Sequence, residues 1–330
     1  MKRTIGEMGE RRVIETILRS LDPMPGIPVP FGDDASAVKI DRGRLAVIKT
    51  DMLVGRTDVP PGMSLKEAAR KAVIMNVSDL AAKGVKPTAI IVALGLPRSL
   101  TEEDVEQLAA GLNMGAREYD TYIIGGDTNE ASDLVISCSA LGFCEKGRFI
   151  ERRGAKPGDI LAVTGSFGRT ACGLKILLEG FEAPKEIRDI LVKSVLMPEA
   201  RLKEGLALAS TGAVTSSIDS SDGLAWSLHE LSMASEVGFV VERLPIAPEA
   251  RRFAEIHKLD PYELCLYGGE EYELVVTVRP SLWDEAEKAL ESLGTPLRRI
   301  GVATRAEEVI LKVGEQTRII EGKGWEHFRT

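Results

Sequence analysis

Ala213-Val214-Thr215-Ser216-Ser217-Ile218-Asp219-Ser220-Ser221-Asp222-Gly223 decides the fold class. Residues 213–218 are β-rich, and Leu224, Leu228 and Leu231 follow at helical spacing, so a strand passes through a tight acidic turn into a helix over 223–234. A strand that feeds a helix, repeated along one chain, marks an α/β protein. The free N–H groups at the start of such a helix favour anions, and Ser221 or Asp222 also suits a plain N-cap.

The same design recurs upstream. Thr121 to Ile124 predicts a short strand delivering Gly125-Gly126-Asp127-Thr128, and the β-rich runs 35–40 and 45–50 predict a hairpin that ends on Asp51. Between these, Ser64 with Glu67 three residues on has capping-box spacing and opens a helix to about Lys83. On it Asn76, Asp79 and Lys83 share one polar face, expected to be exposed. Asp is a poor helix-interior residue, so Asp79 beside Asn76 implies a partner. Residues 89–94 read as a buried strand, 101–119 as a capped helix and 134–143 as a strand. Arg148 to Gly158 reads as the crossing to a second unit. Beyond it come a strand at 159–164, helices from about 169, at 187–196 and at 199–209, strands near 238–241, 274–278 and 309–313, and a helix at 282–293. The expectation is α/β (α+β) in two domains, 1–147 and a larger 148–330, because single cores stop growing near ~250–300 residues.

Composition narrows the function. A 44% apolar and 28% charged chain is globular, and a net charge of −8 argues against general nucleic-acid binding. No apolar run of membrane-spanning length occurs and the opening Met1-Lys2-Arg3-Thr4 lacks a signal segment, so the expected location is cytoplasmic, without a membrane partner. Cys138, Cys144, Cys172 and Cys265 lie in apolar stretches without metal spacing, and His229, His257 and His327 have no ligand spacing. What stands out is Asp33-Asp34, Asp51, Asp79, Asp127, Asp219 and Asp222, each in or beside a Gly-, Ser- or Thr-rich segment. Short carboxylates on sharp turns suit Mg²⁺, a hard ion that takes oxygen ligands from several directions. Gly165-Ser166-Phe167-Gly168 invites a phosphate-loop reading, but Leu174 stands after Gly173 where that loop needs Lys then Ser/Thr, so helix packing is preferred. Gly268-Gly269-Glu270-Glu271 reads as a flexible turn carrying carboxylates.

As a set these segments resemble the thiamine-monophosphate kinases, members of the ATP-binding superfamily that includes aminoimidazole ribonucleotide synthetase. The matching stretches run from Gly32-Asp33-Asp34-Ala35 through Thr50-Asp51-Met52-Leu53-Val54, Asn76-Val77-Ser78-Asp79-Leu80, Gly125-Gly126-Asp127-Thr128, Arg152 to Asp159, Ser221-Asp222-Gly223-Leu224 and Tyr267 to Leu274, to Gly324-Trp325-Glu326-His327-Phe328. The resemblance implies ATP-dependent phosphorylation of thiamine monophosphate to thiamine diphosphate with Mg²⁺, in a homodimer whose amino-terminal sheets pair. It also implies roles. Asp33, Thr50, Asp51, Asp79, Asp127, Asp219 and Asp222 would hold metal; Gly126, Arg152, Ser221 and Tyr119 would contact ATP; Asp58, Glu270 and Trp325 would face the substrate. Asp33, Asp51, Asp127, Asp222 and Arg152 would carry the transfer itself. Two positions depart from the pattern: Asp58 stands where bacterial relatives carry histidine, and Lys49 where relatives can carry a small hydroxyl residue. Within the superfamily, a selenophosphate synthetase would need a reactive cysteine before Cys138, and a hydrogenase-maturation carbamoyl dehydratase would end in cysteine rather than Phe328-Arg329-Thr330. Aminoimidazole ribonucleotide synthetase and a non-catalytic nucleotide-binding sensor remain as alternatives.

Overall fold

A computed structural model describes residues 3–328; Met1, Lys2, Arg329 and Thr330, at the two ends used in the sequence argument, lie outside the described residues. The amino-terminal part contains α1 (Ile5–Leu18), β1 (Ser36–Lys39), β2 (Arg44–Val54), α2 (Gly55–Asp58), α3 (Leu65–Ala82), β3 (Pro87–Leu96), α4 (Glu102–Glu118), β4 (Ile123–Glu130) and β5 (Val135–Glu145). Its mixed sheet has the order β1-β2-β5-β3-β4, with only β3 and β4 parallel. The carboxy-terminal part contains β6 (Ile160–Val163), α5 (Arg169–Glu179), α6 (Lys185–Leu196), α7 (Leu202–Thr211), β7 (Val214–Asp219), α8 (Leu224–Ser235), β8 (Gly238–Val241), α9 (Pro248–His257), α10 (Pro261–Tyr267), β9 (Leu274–Val278), α11 (Trp283–Glu291), β10 (Arg298–Thr304), β11 (Val309–Val313) and β12 (Gln316–Ile319). Its seven strands run β12-β11-β8-β10-β6-β9-β7, with β8 and β11 parallel. The expected mixed α/β fold is present.

The element that joins the two parts is α3. Its start follows from the sequence: Glu67 N donates to Ser64 Oγ at 3.2 Å and Ser64 N donates to Glu67 Oε2 at 2.8 Å, the reciprocal cap that the spacing predicts. Its burial does not follow. From Ala68 to Ala82 every residue except Met75 is buried, so the polar face carrying Asn76, Asp79 and Lys83 is interior rather than exposed. Val73, Ile74, Val77 and Leu80 share one core with β2 and β5 on one side and with Leu202 and Leu208 of α7 on the other. A helix wedged between two layers has no solvent face, so its polar residues persist only where they are paired.

Three further expectations change. Gly125-Gly126-Asp127-Thr128 lies inside β4, not on a turn after it, because Gly126 lets β4 approach β3 so closely that a Cβ there would overlap the Val92 carbonyl. β3 alternates in burial, with Ile91 and Ala93 exposed, so it is a half-covered strand. Apolar residues at helical spacing from Ile5 to Leu21 predict a first helix, which ends instead at Leu18 and is interrupted at Gly9, whose φ of 72° breaks the helical path. Elements α2, α9, α10, β10 and β12 have no counterpart in the sequence expectations. Among the described residues no helix is long and apolar enough to cross a membrane.

Candidate active site

Three carboxylates meet at the joint between the two parts. Asp79 on α3, Asp219 at the end of β7 and Asp34 on the loop before β1 bring one oxygen each within 4.8 Å of one another, and all three are buried. The sequence puts them there by different means: Asp79 by the all-round burial of α3, Asp219 by the strand that runs into the acidic turn, and Asp34 by a loop pinned from several sides. Lys83 Nζ lies 2.8 Å from Asp34 Oδ2, and the Arg152 guanidinium donates to Asp34 Oδ1, with Nε at 2.7 Å.

Asp33 lies beside this cluster rather than in it. Its Oδ1 accepts from Lys83 Nζ at 2.6 Å and its Oδ2 from the Arg152 backbone N–H at 2.9 Å, so it clamps the loop while its neighbour Asp34 enters the cluster. Asp51 stands at the rim, joined to Asp79 through Lys49, whose Nζ is 3.0 Å from each carboxylate. Asn76 fixes it from α3 by accepting the Asp51 N–H at 3.1 Å. Thr50 falls on the opposite face of β2, where its hydroxyl donates to the Cys138 carbonyl at 3.0 Å, and it is not part of the cluster.

The electrostatics are those of crowded acids. Burial raises the Asp79 carboxyl well above its ordinary range, with Asp51, Asp219 and Asp34 adding to the effect against Lys49. Burial, reinforced by Asp34, pushes Asp219 up to about 6; burial, reinforced by Asp219, pushes Asp222 up to about 7. For Asp34 burial would also raise the value, but Arg152 and Lys83 outweigh it and hold the carboxyl low. An all-oxygen set of buried carboxylates that repel one another fits a hard divalent cation such as Mg²⁺.

A second feature adjoins the first. A cavity of about 750 Å³ is lined by Asp58, Lys71, Glu270 and Trp325 among others, so the three residues carried over for the substrate share one pocket. Trp325 is exposed to it, 55% accessible. The Asp58 carboxylate is turned to the chain, accepting the Val54 N–H at 2.7 Å at the start of α2. Lys71, buried on α3, pairs with the Glu270 carboxylate and donates to the Asp58 carbonyl at 3.0 Å. Glu270 and Tyr272 have φ of 63° and 51°, a left-handed backbone that costs non-glycine residues energy and occurs where surroundings enforce it.

The turn 220–223 ties pocket to cluster. The Ser221 carbonyl accepts Glu270 N–H at 2.6 Å, the Ser220 carbonyl accepts Tyr272 N–H at 3.0 Å, and the Asp222 carbonyl accepts Trp325 N–H at 3.1 Å. Arg152 continues the network outward: its Nη1 donates to Glu230 Oε2 at 2.9 Å, and Glu230 pairs with Arg11 of α1 at 2.6 Å.

Three carried-over residues lie elsewhere in the chain: Gly126 and Asp127 on β4, and Tyr119 just after α4. Asp127 is exposed on the edge strand β4, three strand spacings or about 14 Å from the strand of Asp51. The Tyr119 hydroxyl accepts the Ala200 N–H at 2.8 Å, at the joint between α4 and the start of α7. The rejected phosphate loop also has a physical explanation. The N–H groups of Gly168 and Thr170, at the start of α5, donate to Glu271 Oε1 at 2.5 and 3.2 Å, so an internal carboxylate occupies the anion position.

Sequence reasoning passed over Lys71, and it named Asp34 and Lys83 only as part of an acidic pair and of a polar helix face. Asp34 was one half of an ambiguous dipeptide. Lys71 and Lys83 had a signal, a cation within a helix otherwise rich in Ala, Val, Ile and Leu, but only burial on both sides gives it meaning.

Comparison with known proteins gives a consistent result. Residues 32–144 match the family described as AIR synthase related protein, N-terminal domain, and residues 156–314 match AIR synthase related protein, C-terminal domain. The thiamine-monophosphate kinase of Nitrosopumilus maritimus is 37% identical over 297 residues, covering 90% of this chain and 93% of the relative. That of Pyrococcus abyssi is 37% identical over 300 residues, 90% of each chain. Among solved structures, AaThiL complexed with AMPPCP and TMP superposes with a TM-score of 0.85 at 27% identity, covering 99% of both chains.

Proposed function

The chain belongs to the thiamine-monophosphate kinase family, and on that premise we propose that it transfers the γ-phosphoryl group of ATP to thiamine monophosphate, giving thiamine diphosphate and ADP. The observation that carries this reading is the turn 220–223, which binds the backbone of Glu270 and Trp325 while it bears Asp222 and directly follows Asp219. A phosphate-handling cluster and an aromatic pocket are thereby held at a fixed distance, as transfer between two bound substrates requires.

Asp34, Asp79 and Asp219 would hold magnesium, with Asp51 and Asp222 at the rim. Bound magnesium supplies positive charge that offsets repulsion between donor and acceptor phosphates. The acceptor is a phosphate monoester, already ionised at neutral pH, so the chain needs no strong base and forms no phosphoenzyme. Arg152 and Ser221, beside the cluster, are the nucleotide contacts within the chain, and Arg152 is kept in place by Asp34 and Glu230. Trp325 offers its ring face to the cationic thiazolium, a contact of roughly 0.5–2 kcal/mol. Glu270, anchored by Lys71, places a carboxylate beside the same ring.

Gly126 and Asp127 enter through a homodimer. β1 pairs only with residues 45–48 of β2, so the half of β2 that carries Lys49 to Val54 has a free edge, and β4 is the free edge on the other side. The uncovered sheet face bears Ile48, Met52, Ile91 and Phe143, which are about half exposed, an apolar surface suited to a second copy. Laying β4 of one copy along β2 of the other satisfies both edges and removes the gap between Asp127 and Asp51. We take 1–147 as the pairing domain and 148–330 as the domain that completes the site.

Phosphorus NMR of the purified protein with ATP, thiamine monophosphate and MgCl₂ tests the reaction. The expected result is growth of thiamine diphosphate and ADP signals together. ADP with inorganic phosphate alone would contradict the proposal.

A further inference from the structure

We propose that Lys49 is a resident cation of the acidic cluster, holding between Asp51 and Asp79 a position that a divalent ion would otherwise fill, so that the site assembles with one ion fewer. The inference rests on the reading of the cluster as a magnesium centre.

Lys49 and Asp51 are two residues apart on β2 and therefore share the face turned toward α3. The ammonium lies 3.0 Å from Asp51 Oδ1 and 3.0 Å from Asp79 Oδ2, within the range of charge-assisted contacts. Only 20% of the side chain is accessible, so this is not a solvated surface lysine that happens to lie near acids. A carboxylate oxygen 3.0 Å away on each of two sides pairs with the ammonium. It is a cation at neutral pH.

Asp79 belongs to both groups: it is one corner of the Asp34, Asp79 and Asp219 trio and one end of the Lys49 bridge. Removing the ammonium leaves Asp51 and Asp79 facing each other across a small gap with no charge between them. Two carboxylates in that relation either take up protons or bind a cation, and in a magnesium-loaded cluster the cation is at hand. An ammonium is a compact point charge with three donors, two of which these carboxylates occupy. The third is free for an acceptor such as a phosphate oxygen.

The test counts Mn²⁺ bound per chain by electron paramagnetic resonance, with a non-hydrolysable ATP analogue present, for the wild-type protein, Lys49→Gln and Lys49→Arg. Lys49→Gln is expected to bind one more Mn²⁺ than wild type, and its melting temperature, lowered in chelator, to recover on adding Mn²⁺. Lys49→Arg is expected to keep the wild-type count. Equal, non-zero counts for Lys49→Gln and wild type would overturn the role of Lys49 alone, as would an extra ion on Lys49→Arg. Should Lys49→Gln be unfolded in chelator, folding on Mn²⁺ addition supports the proposal and failure to fold in saturating Mn²⁺ overturns it. Absence of Mn²⁺ from the wild-type complex would overturn the magnesium reading and this inference with it.

Discussion

At the scale of single residues, the adjacent acids Asp33 and Asp34 show where sequence stops informing. Both are short carboxylates after a glycine, and nothing local separates them. Their partners do: Asp33 faces Lys83 and the Arg152 backbone, whereas Asp34 meets Asp79 and Asp219, residues on distant segments. The cluster also sets a pH dependence. Asp219 and Asp222 have folded-state values of about 6 and about 7, above the roughly 3.9 of an unfolded aspartate. The folded protein therefore binds more protons than the unfolded one between about pH 4 and about pH 7, and stability falls as pH rises through that window. Differential scanning calorimetry of metal-free protein is expected to give a melting temperature that declines from pH 5 to pH 8. Mg²⁺ competes with those protons, so the gain on adding it should be larger at pH 8 than at pH 5. A metal-free melting temperature that rises with pH would contradict the assignment.

At the scale of elements, local chemistry was legible wherever it ruled alone. Ser64 with Glu67 and Thr101 with Asp104 form the reciprocal caps that open α3 and α4, and β7 runs into its acidic turn as its sequence dictates. Elements governed by tertiary neighbours were not legible. β4 reads as a turn because of its paired glycines, yet it is a strand because Gly126 lies against the β3 backbone. Gly126→Ala should cost about 1–3 kcal/mol through overpacking, seen as a lower urea midpoint. Gly125→Ala is the control, since a Cβ there meets nothing within 4 Å. Equal midpoints for the two variants would show that the close approach does not govern β4. The polar face of α3 is the opposite case: the pattern was visible, but its meaning depended on α7 and β7 packing over it.

At the scale of the whole molecule, the sequence displays the parts of a site without saying which chain supplies each. The Asp34, Asp79 and Asp219 cluster and the Trp325 pocket are complete within one chain, whereas Asp127 stands on an unpaired edge about 14 Å from the strand of Asp51. In the proposed dimer, Asp51 and Asp127 are neighbours only across two copies. Subunit mixing tests this most directly. Asp51→Asn and Asp127→Asn should each be nearly inactive as pure dimers. After the two are unfolded together and refolded at equal ratio, each mixed dimer carries one site with both aspartates intact, so thiamine diphosphate formation should return to about one quarter of wild type. Activity that stays at the level of the separate variants, in a mixture shown to contain mixed dimers, would contradict a site shared between subunits.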